Sequence, residues 1–90
     1  ELFVLPLKAL ARKFNFLIFE DRKLADIGNT VKGQLDEGIY KISSWADIVT
    51  VHGIPGPGLF KALESSKNSI ASLIVAEMSS DGKLKFTYET

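Results

Sequence analysis

Apolar and polar positions follow one another along the chain in a pattern that predicts three helices alternating with three strands. The first predicted helix covers residues 2–14, with one apolar face formed by Val4, Leu7, Ala11 and Phe14. Pro6 is tolerated only in a first helical turn, so we expect the regular helix to begin near Leu5. Asn15 is a suitable residue to stop it.

Two shorter helices are predicted further along. One is capped by Asn29 or Thr30 and runs to about Glu37, where Gly38 ends it. The other covers residues 59–64. The apolar positions expected to face inward are Val31 and Leu35 in the former, and Leu59, Phe60 and Leu63 in the latter.

The strands are predicted from three apolar and β-branched runs, at residues 16–19, 47–53 and 70–78. The first is continuously apolar, which is typical of a strand buried on both faces of a sheet, and the third is also expected to be buried. Residues 39–46, "IYKISSWA", fit either a short strand or an irregular turn that buries Trp45. A turn follows residue 78, and the remaining tail has no clear period.

Apolar strands that alternate with short helices favour an α/β fold with a parallel sheet and βα crossovers. Three such strands leave two bare edges and sheet faces without enough helices to cover them. We therefore expect residues 1–90 to be a central fragment of a single, larger α/β domain.

Composition narrows the possible partners. Eleven basic and eleven acidic side chains cancel, which argues against nucleic acid as the main partner. No apolar run approaches the roughly 20 residues of a membrane helix, and the first residues do not resemble a signal peptide. The absence of cysteine makes a reducing, cytoplasmic setting the default expectation.

Two features suggest ligand sites but lack the required partners. His52 is the only histidine, and with no cysteine in the chain it cannot form a zinc site, so a structural hydrogen bond is favoured. "GIPGPG", residues 53–58, has neither the lysine of a P-loop nor the G-x-G-x-x-G spacing. We interpret this segment as a loop that shapes a strand-to-helix connection.

The strongest candidate chemistry is the charged stretch "EDRKLAD", residues 20–26, directly after the run "FLIF". If the backbone stays extended, Asp21 and Lys23 point to the same side, and Asp26 follows on the loop. A carboxylate keeps a neighbouring lysine protonated, so Lys23 could serve as a general acid. A solvated turn with ion pairs worth about 0–1 kcal/mol is the alternative, and spacing alone favours it.

The longer motif "FLIFEDRKLADIGNTV" closely resembles the signature of the orotidine 5′-monophosphate decarboxylase family, of the eukaryotic type. The resemblance extends through "PLKAL", "SSWADIVTVHGIPGPG" and "LIVAEMSSDG", and so covers nearly the whole chain. It implies a (β/α)8 TIM barrel, to which this chain would contribute about strands 3 to 5. It also implies a homodimer that works without cofactor or metal.

The resemblance also implies roles for individual residues. Asp21 and Lys23 would face C6 of the pyrimidine, with Lys23 protonating that carbon after loss of CO2. Asp26 would reach into the active site of the partner subunit. Substrate-binding roles are implied for Ile27 and Thr30, on the partner side, and for Ser79, with the adjacent Ser80 as the alternative contact to the base.

Two other functions remain open at this stage. One is a magnesium-dependent sugar-phosphate decarboxylase of the same barrel group, which shares the D-x-K-x-x-D spacing; "ADIGNT" and Ser79 favour the pyrimidine enzyme. The other is an inactive fragment that acts only as an oligomerising unit through its strand edges. In either case we expect the isolated chain to be inactive, because the family's first strands and phosphate-binding loops have no counterpart in it.

Overall fold

Three short parallel strands form the centre of the structure, a computed structural model that describes residues 3–38 and 40–83. The elements in chain order are helix α1 (Val4–Phe14), strand β1 (Phe19–Leu24), helix α2 (Gly28–Asp36), a 3-10 turn (Ile42–Ser44), strand β2 (Ile48–Val51), helix α3 (Pro57–Glu64) and strand β3 (Ala71–Ile74). The strands lie in the order β1-β2-β3, and both neighbouring pairs are parallel. The predicted alternation of helices with a parallel sheet is confirmed.

Helices α2 and α3 cover one face of this sheet and enclose its apolar core. The predicted inward positions Val31, Leu35 and Leu59 are completely buried, and Phe60 packs against the core from its edge. The two helices approach closely at their first turns, where a Cβ on Gly28 would lie 2.8 Å from the carbonyl oxygen of Gly58. Gly58 belongs to the "GIPGPG" segment, which connects β2 to α3 as predicted.

The first strand is the main correction to the prediction. It begins at Phe19 and runs through the charged residues to Leu24, instead of occupying residues 16–19. The residues before it are still used to end α1, since Phe16 donates its backbone N–H to the carbonyl of Ala11. The chain enters the sheet only at Ile18, whose carbonyl accepts from the backbone N–H groups of Asp47 and Ile48.

The predicted burial of the outer strands was also wrong. Phe16, Leu17 and Phe19 are largely exposed, as are Leu73 and Ile74 on β3. The strands themselves are shorter than predicted, because β2 covers only residues 48–51 and β3 only residues 71–74. Both outer strands have one neighbour each, and these side chains are between 44% and 69% exposed within residues 3–38 and 40–83.

Helix α1 ends at the predicted residue but does not have the predicted buried face. It begins at Val4, and Asn15 ends it with a left-handed backbone conformation at φ 56°. Only Ala11 is buried, whereas Phe14 is 64% exposed. The face is exposed because α1 packs little against the rest of the described structure. Leu2, where the predicted helix started, lies outside the described residues.

The second helix begins earlier than predicted. Ile27, not Asn29 or Thr30, is the capping residue, and no side-chain cap bond forms. The chain turns into the helix at Ile27, whose ψ is 160°, so Asn29 and Thr30 already lie in the first turn. Gly38 follows the helix with φ 70°, as expected of a residue that ends it.

A buried carboxylate joins the end of α2 to two other segments. Asp36 accepts hydrogen bonds of 2.7 Å from the hydroxyls of Ser43 and Ser66, and a weaker one of 3.2 Å from the backbone N–H of Lys67. Burial alone would raise the pKa of Asp36, but these hydrogen bonds and the charge of Lys67 outweigh it and lower the pKa. Asp36 therefore stabilises the packing of α2 with the 3-10 turn and with the loop after α3.

The ambiguous segment after α2 is an irregular turn. Its described part contains the 3-10 turn, and half-buried Trp45 packs against the core while donating its indole N–H to the carbonyl of Tyr40 at 2.7 Å. Residues 79–82 form the predicted turn, and the tail from residue 84 lies outside the described residues. Within the part of the chain that the structure describes, no helix has the length and apolarity needed to span a membrane.

Candidate active site

The backbone of β1 is irregular at the charged residues. Its pairing with β2 passes from Glu20 opposite Val49 to Leu24 opposite Val51, so three residues of β1 oppose the single residue Thr50. Lys23 takes up part of the excess with a left-handed conformation, φ 56°, which is uncommon for a non-glycine residue. The premise that extended geometry persists to Lys23 was therefore wrong.

Asp21 and Lys23 nevertheless lie side by side, as the sequence predicted. Lys23 Nζ is 2.8 Å from Asp21 Oδ2, a hydrogen-bonded ion pair near the carboxyl end of β1. The pair is open to solvent, with 37% of the lysine side chain and 54% of the aspartate side chain exposed. Glu20 and Arg22 form a separate and looser pair at 3.4 Å, and the Arg22 guanidinium lies 4.5 Å from the centre of the Tyr40 ring.

The hydroxyl of Thr50 connects the two members of the Asp21–Lys23 pair. Thr50 Oγ1 donates to Asp21 Oδ1 at 2.8 Å and accepts from the backbone N–H of Lys23 at 2.9 Å. The hydrogen bond from the Lys23 ammonium, followed by that from Thr50, holds the pKa of Asp21 below its ordinary value despite some desolvation. The charge of Lys23 acts in the same direction. Asp21 therefore stays an anion that orients the ammonium beside it.

Sequence reasoning missed Thr50. In "DIVTVHG" it looks like one more β-branched strand former. The available signal was weak: Thr50 is the one hydroxyl residue among the apolar positions of a strand that neighbours the charged segment.

Asp26 lies apart from the ion pair. It is exposed on the loop between β1 and α2, and its carboxylate accepts the backbone N–H of Ile27 at 2.8 Å. Within residues 3–38 and 40–83, no hydrogen bond or ion pair joins Asp26 to Lys23. Ile27 and Thr30 are also exposed, at the start of α2. The roles of these three residues toward a partner subunit stay predictions.

The two candidate serines follow β3. Ser79 and Ser80 are both exposed, and Ser80 lines an open cavity of about 180 Å³ together with His52, Ile54 and Met78. Glu77 and Lys83 form an ion pair of 3.6 Å at this cavity. The cavity adjoins the ends of β2 and β3, where parallel α/β folds bind ligands, so it is a candidate ligand pocket. The choice between Ser79 and Ser80 stays a prediction.

The ion pair combines a proton donor with a group that orients it. An ammonium that is fixed beside a carboxylate can stabilise negative charge developing on a substrate and can then transfer a proton to it. No three His, Asp or Glu side chains in the described ranges lie close enough together to hold a metal ion.

Comparison with known proteins places this chain in a family. The model of the Orotidine 5′-phosphate decarboxylase / HUMPS family matches residues 1–90. The chain is 56% identical over 88 residues to a protein of Debaryomyces hansenii named orotidine 5′-phosphate decarboxylase, an alignment that covers 92% of this chain and 33% of the relative. Proteins of the same name from Saccharomycopsis fibuligera and Saccharomyces cerevisiae are 55% and 50% identical over 86 residues, and each alignment covers 90% of this chain and 32% of the relative. The chain thus spans about a third of the length of the curated relatives it matches.

Proposed function

This chain belongs to the orotidine 5′-phosphate decarboxylase / HUMPS family, and from that premise we propose that the protein containing it converts orotidine 5′-monophosphate to uridine 5′-monophosphate. The observation that carries the proposal is the 2.8 Å ion pair of Lys23 with Asp21 near the carboxyl end of β1. The fold agrees with the premise, because the prediction of a partial (β/α)8 barrel is confirmed by the family and by the parallel order β1-β2-β3.

The proposed reaction makes use of the Lys23 ammonium. The bond from C6 to the carboxylate breaks, CO2 leaves, and the electron pair stays on C6. Lys23 Nζ stabilises this charge and transfers a proton to C6, after which the neutral amine takes a proton from water. Asp21, as an anion, holds the ammonium in place before the transfer. No cofactor is needed for this sequence of steps.

Preorganised electrostatics is the larger contribution in this proposal. Asp21 adds negative charge near the departing carboxylate, but ground-state repulsion of this kind is a contested explanation of rate. A site oriented before the reaction begins does not have to reorganise as charge develops. Enzymes lower barriers by about 8–23 kcal/mol, more than one ion pair supplies, so binding of the remote phosphate must also contribute.

Replacement of Lys23 tests the proposal. In the complete protein, Lys23→Ala should lower kcat for orotidine 5′-monophosphate at least about 100-fold, because the stabilising charge and the proton donor are both lost. The absorbance change as the substrate's ring loses its carboxylate gives the rate. Arg22→Ala is the matched control: it removes a cation one residue away, whose partners Glu20 and Tyr40 lie outside the proposed site, and activity should stay near wild type.

Three results would count against the proposal. If Lys23→Ala is as active as Arg22→Ala, Lys23 does not take part in the reaction. If the wild-type protein does not decarboxylate orotidine 5′-monophosphate, the proposed substrate is wrong. Loss of activity on addition of a metal chelator would instead favour the magnesium-dependent sugar-phosphate decarboxylase.

We propose further that the site is shared in a homodimer, with Asp26 of the partner subunit completing it. The support is that Asp26 is exposed and forms no hydrogen bond or ion pair with Lys23 of its own chain within the described residues. Mixed Lys23→Ala and Asp26→Ala proteins should regain activity, because half of the dimers are hybrids with one intact site each. Recovery of about a quarter of wild-type activity is expected if subunits exchange freely. No recovery despite proven exchange would contradict the shared site.

The 90-residue chain by itself should not turn over the substrate. It spans about a third of the length of its relatives, and none of the roles proposed for its residues is binding of the phosphate. Assay of the purified chain against the complete protein measures this, and comparable turnover by the two would overturn the expectation.

A further inference from the structure

Thr50 is the only residue of β2 that lies opposite the irregular part of β1. The pairing passes from Val49 to Val51 on β2 while β1 advances from Glu20 to Leu24. Thr50 itself is 8% exposed and is held on its other side by regular pairing with Leu73 of β3. A side chain on the central strand of the sheet is therefore presented, from a rigid position, to the most irregular stretch of the neighbouring strand.

The direction of both hydrogen bonds at this hydroxyl is fixed by chemistry. A backbone N–H can only donate, so Thr50 Oγ1 accepts from Lys23. The ionised carboxylate of Asp21 can only accept, so the same hydroxyl donates its one proton there. The Thr50 hydroxyl therefore uses its one proton and one of its lone pairs in these two hydrogen bonds. Through them it connects Asp21 and Lys23, the two residues of the candidate site.

These contacts close a ring. It runs from the backbone N–H of Lys23 to the Thr50 hydroxyl, on to Asp21 Oδ1, and from Asp21 Oδ2 back to the ammonium of Lys23. Lys23 is thus held at both its backbone and its side-chain end, with Thr50 as the link outside β1. The ring matters because Lys23 has a positive φ, a conformation that persists only where its surroundings enforce it.

We propose that Thr50 is a positioning residue of the decarboxylase site: its hydroxyl fixes the conformation of the Lys23 backbone and orients the Asp21 carboxylate toward the ammonium. This inference rests on the proposed function for its catalytic consequence, but not for its structural one. Thr50 need not touch the substrate. It acts by holding the proton donor beside the position that the reacting carbon will occupy. Small displacements of such a group lower the reaction rate more than they weaken substrate binding.

The competing explanation is that Thr50 is only a β-branched residue of a buried strand. Two substitutions separate the explanations. Thr50→Val keeps the branched shape and the strand preference but removes the hydroxyl. Thr50→Ser keeps the hydroxyl but loses the methyl group and the branching. If packing is what matters, serine should be the worse replacement; if the hydroxyl matters, valine should be.

The first measurement is steady-state decarboxylation by the complete protein. Thr50→Val should lower kcat about 10-fold or more while KM changes less than about 3-fold, because the group that reacts is displaced and the substrate contacts are not. Thr50→Ser should stay within about 3-fold of wild type in both constants. Thr50→Val with wild-type kcat, or Thr50→Ser with a loss as large as that of Thr50→Val, would overturn the proposal.

The second measurement does not depend on activity. Carbon-13 NMR titration of the aspartate carboxyls, with the Asp21 signal assigned from its loss in Asp21→Asn, reports the hydrogen bond from Thr50 directly. The pKa of Asp21 should rise in Thr50→Val and stay near the wild-type value in Thr50→Ser. An unchanged pKa in Thr50→Val would overturn the positioning role. If the wild-type protein does not decarboxylate the nucleotide, the proposed function fails, and this titration still decides whether Thr50 orients Asp21.

Discussion

A single methyl group added to Gly28 should destabilise the packing of α2 on α3. A Cβ at this position would lie 2.8 Å from the carbonyl oxygen and 3.4 Å from the carbonyl carbon of Gly58, both backbone atoms. A backbone atom cannot rotate away as a flexible side chain can, so the helices themselves must separate. Overpacking of this kind costs about 1–3 kcal/mol, and the gain in helix preference from glycine to alanine offsets at most about 1 kcal/mol of it. We expect Gly28→Ala to lower the free energy of unfolding by about 1–2 kcal/mol.

Gly33 provides a matched control in the same helix. Nothing lies within 4 Å of a Cβ built there, and no unusual backbone angle requires glycine. Gly33→Ala should therefore raise the free energy of unfolding by about 0.5–1 kcal/mol, since alanine loses less backbone freedom in a helix. The same chemical change in α2 thus has opposite expected signs at the two positions.

Urea unfolding of the 90-residue chain, followed by the fluorescence of Trp45, measures both variants. Trp45 is the only tryptophan and packs against the core that α2 and α3 enclose. With a slope of about 1 kcal/mol per molar urea, the two midpoints should differ by about 1.5–3 M. All three proteins are compared at one concentration, so that any association through the strand edges is held constant. Equal midpoints for Gly28→Ala and Gly33→Ala would refute the close approach of α2 and α3 as an energetic constraint.

Two further stability predictions concern other parts of the fold. Asp36→Asn should lower the free energy of unfolding at neutral pH by about 1–2 kcal/mol, because the amide oxygen can still accept the hydrogen bonds but no longer carries the charge that strengthens them; an unchanged urea midpoint would contradict this. Because the folded pKa of Asp36 lies below the ordinary value of 3.8, this stabilisation is complete above that value and is lost as the pH falls through the folded pKa, which an acid titration of the midpoint measures. Asn15→Ala should cost about 1 kcal/mol because of the left-handed backbone at α1's end, whereas Asn15→Gly should be nearly neutral; a thermal melt that ranks them in the reverse order would refute the explanation.

The parts of the fold that were predictable from the sequence are those set by local periodicity. Val31 and Leu35 repeat at a spacing of four, and Leu59 and Leu63 do the same, so both pairs were assigned inward and all four are buried. The alternation of helices and strands likewise predicted the parallel sheet. Such patterns succeed because a regular helix or strand converts spacing along the chain directly into direction in space.

Burial on the outer strands was not predictable in the same way. Leu73 and Ile74 have the apolar character of a buried strand, yet both are more than half exposed in the described structure. An apolar run indicates which side chains a strand would bury if neighbouring elements covered it. It does not indicate whether those neighbouring elements are present. The start of β1 was misplaced for a related reason, since residue 16 is held by a hydrogen bond to α1 that no strand pattern reveals.

The candidate site shows a further limit of prediction from sequence. Asp21 and Lys23 were placed on one side of β1 by assuming period-two alternation, but the left-handed Lys23 breaks that alternation and the contact exists all the same. The pair is held by Thr50, which is distant in sequence and lies on the other strand. A residue that violates the local rule of its strand requires support from outside that strand. The residue opposite such an irregularity is therefore where a supporting group should be sought, and in β2 that position is occupied by the one residue whose hydroxyl can serve donor and acceptor together.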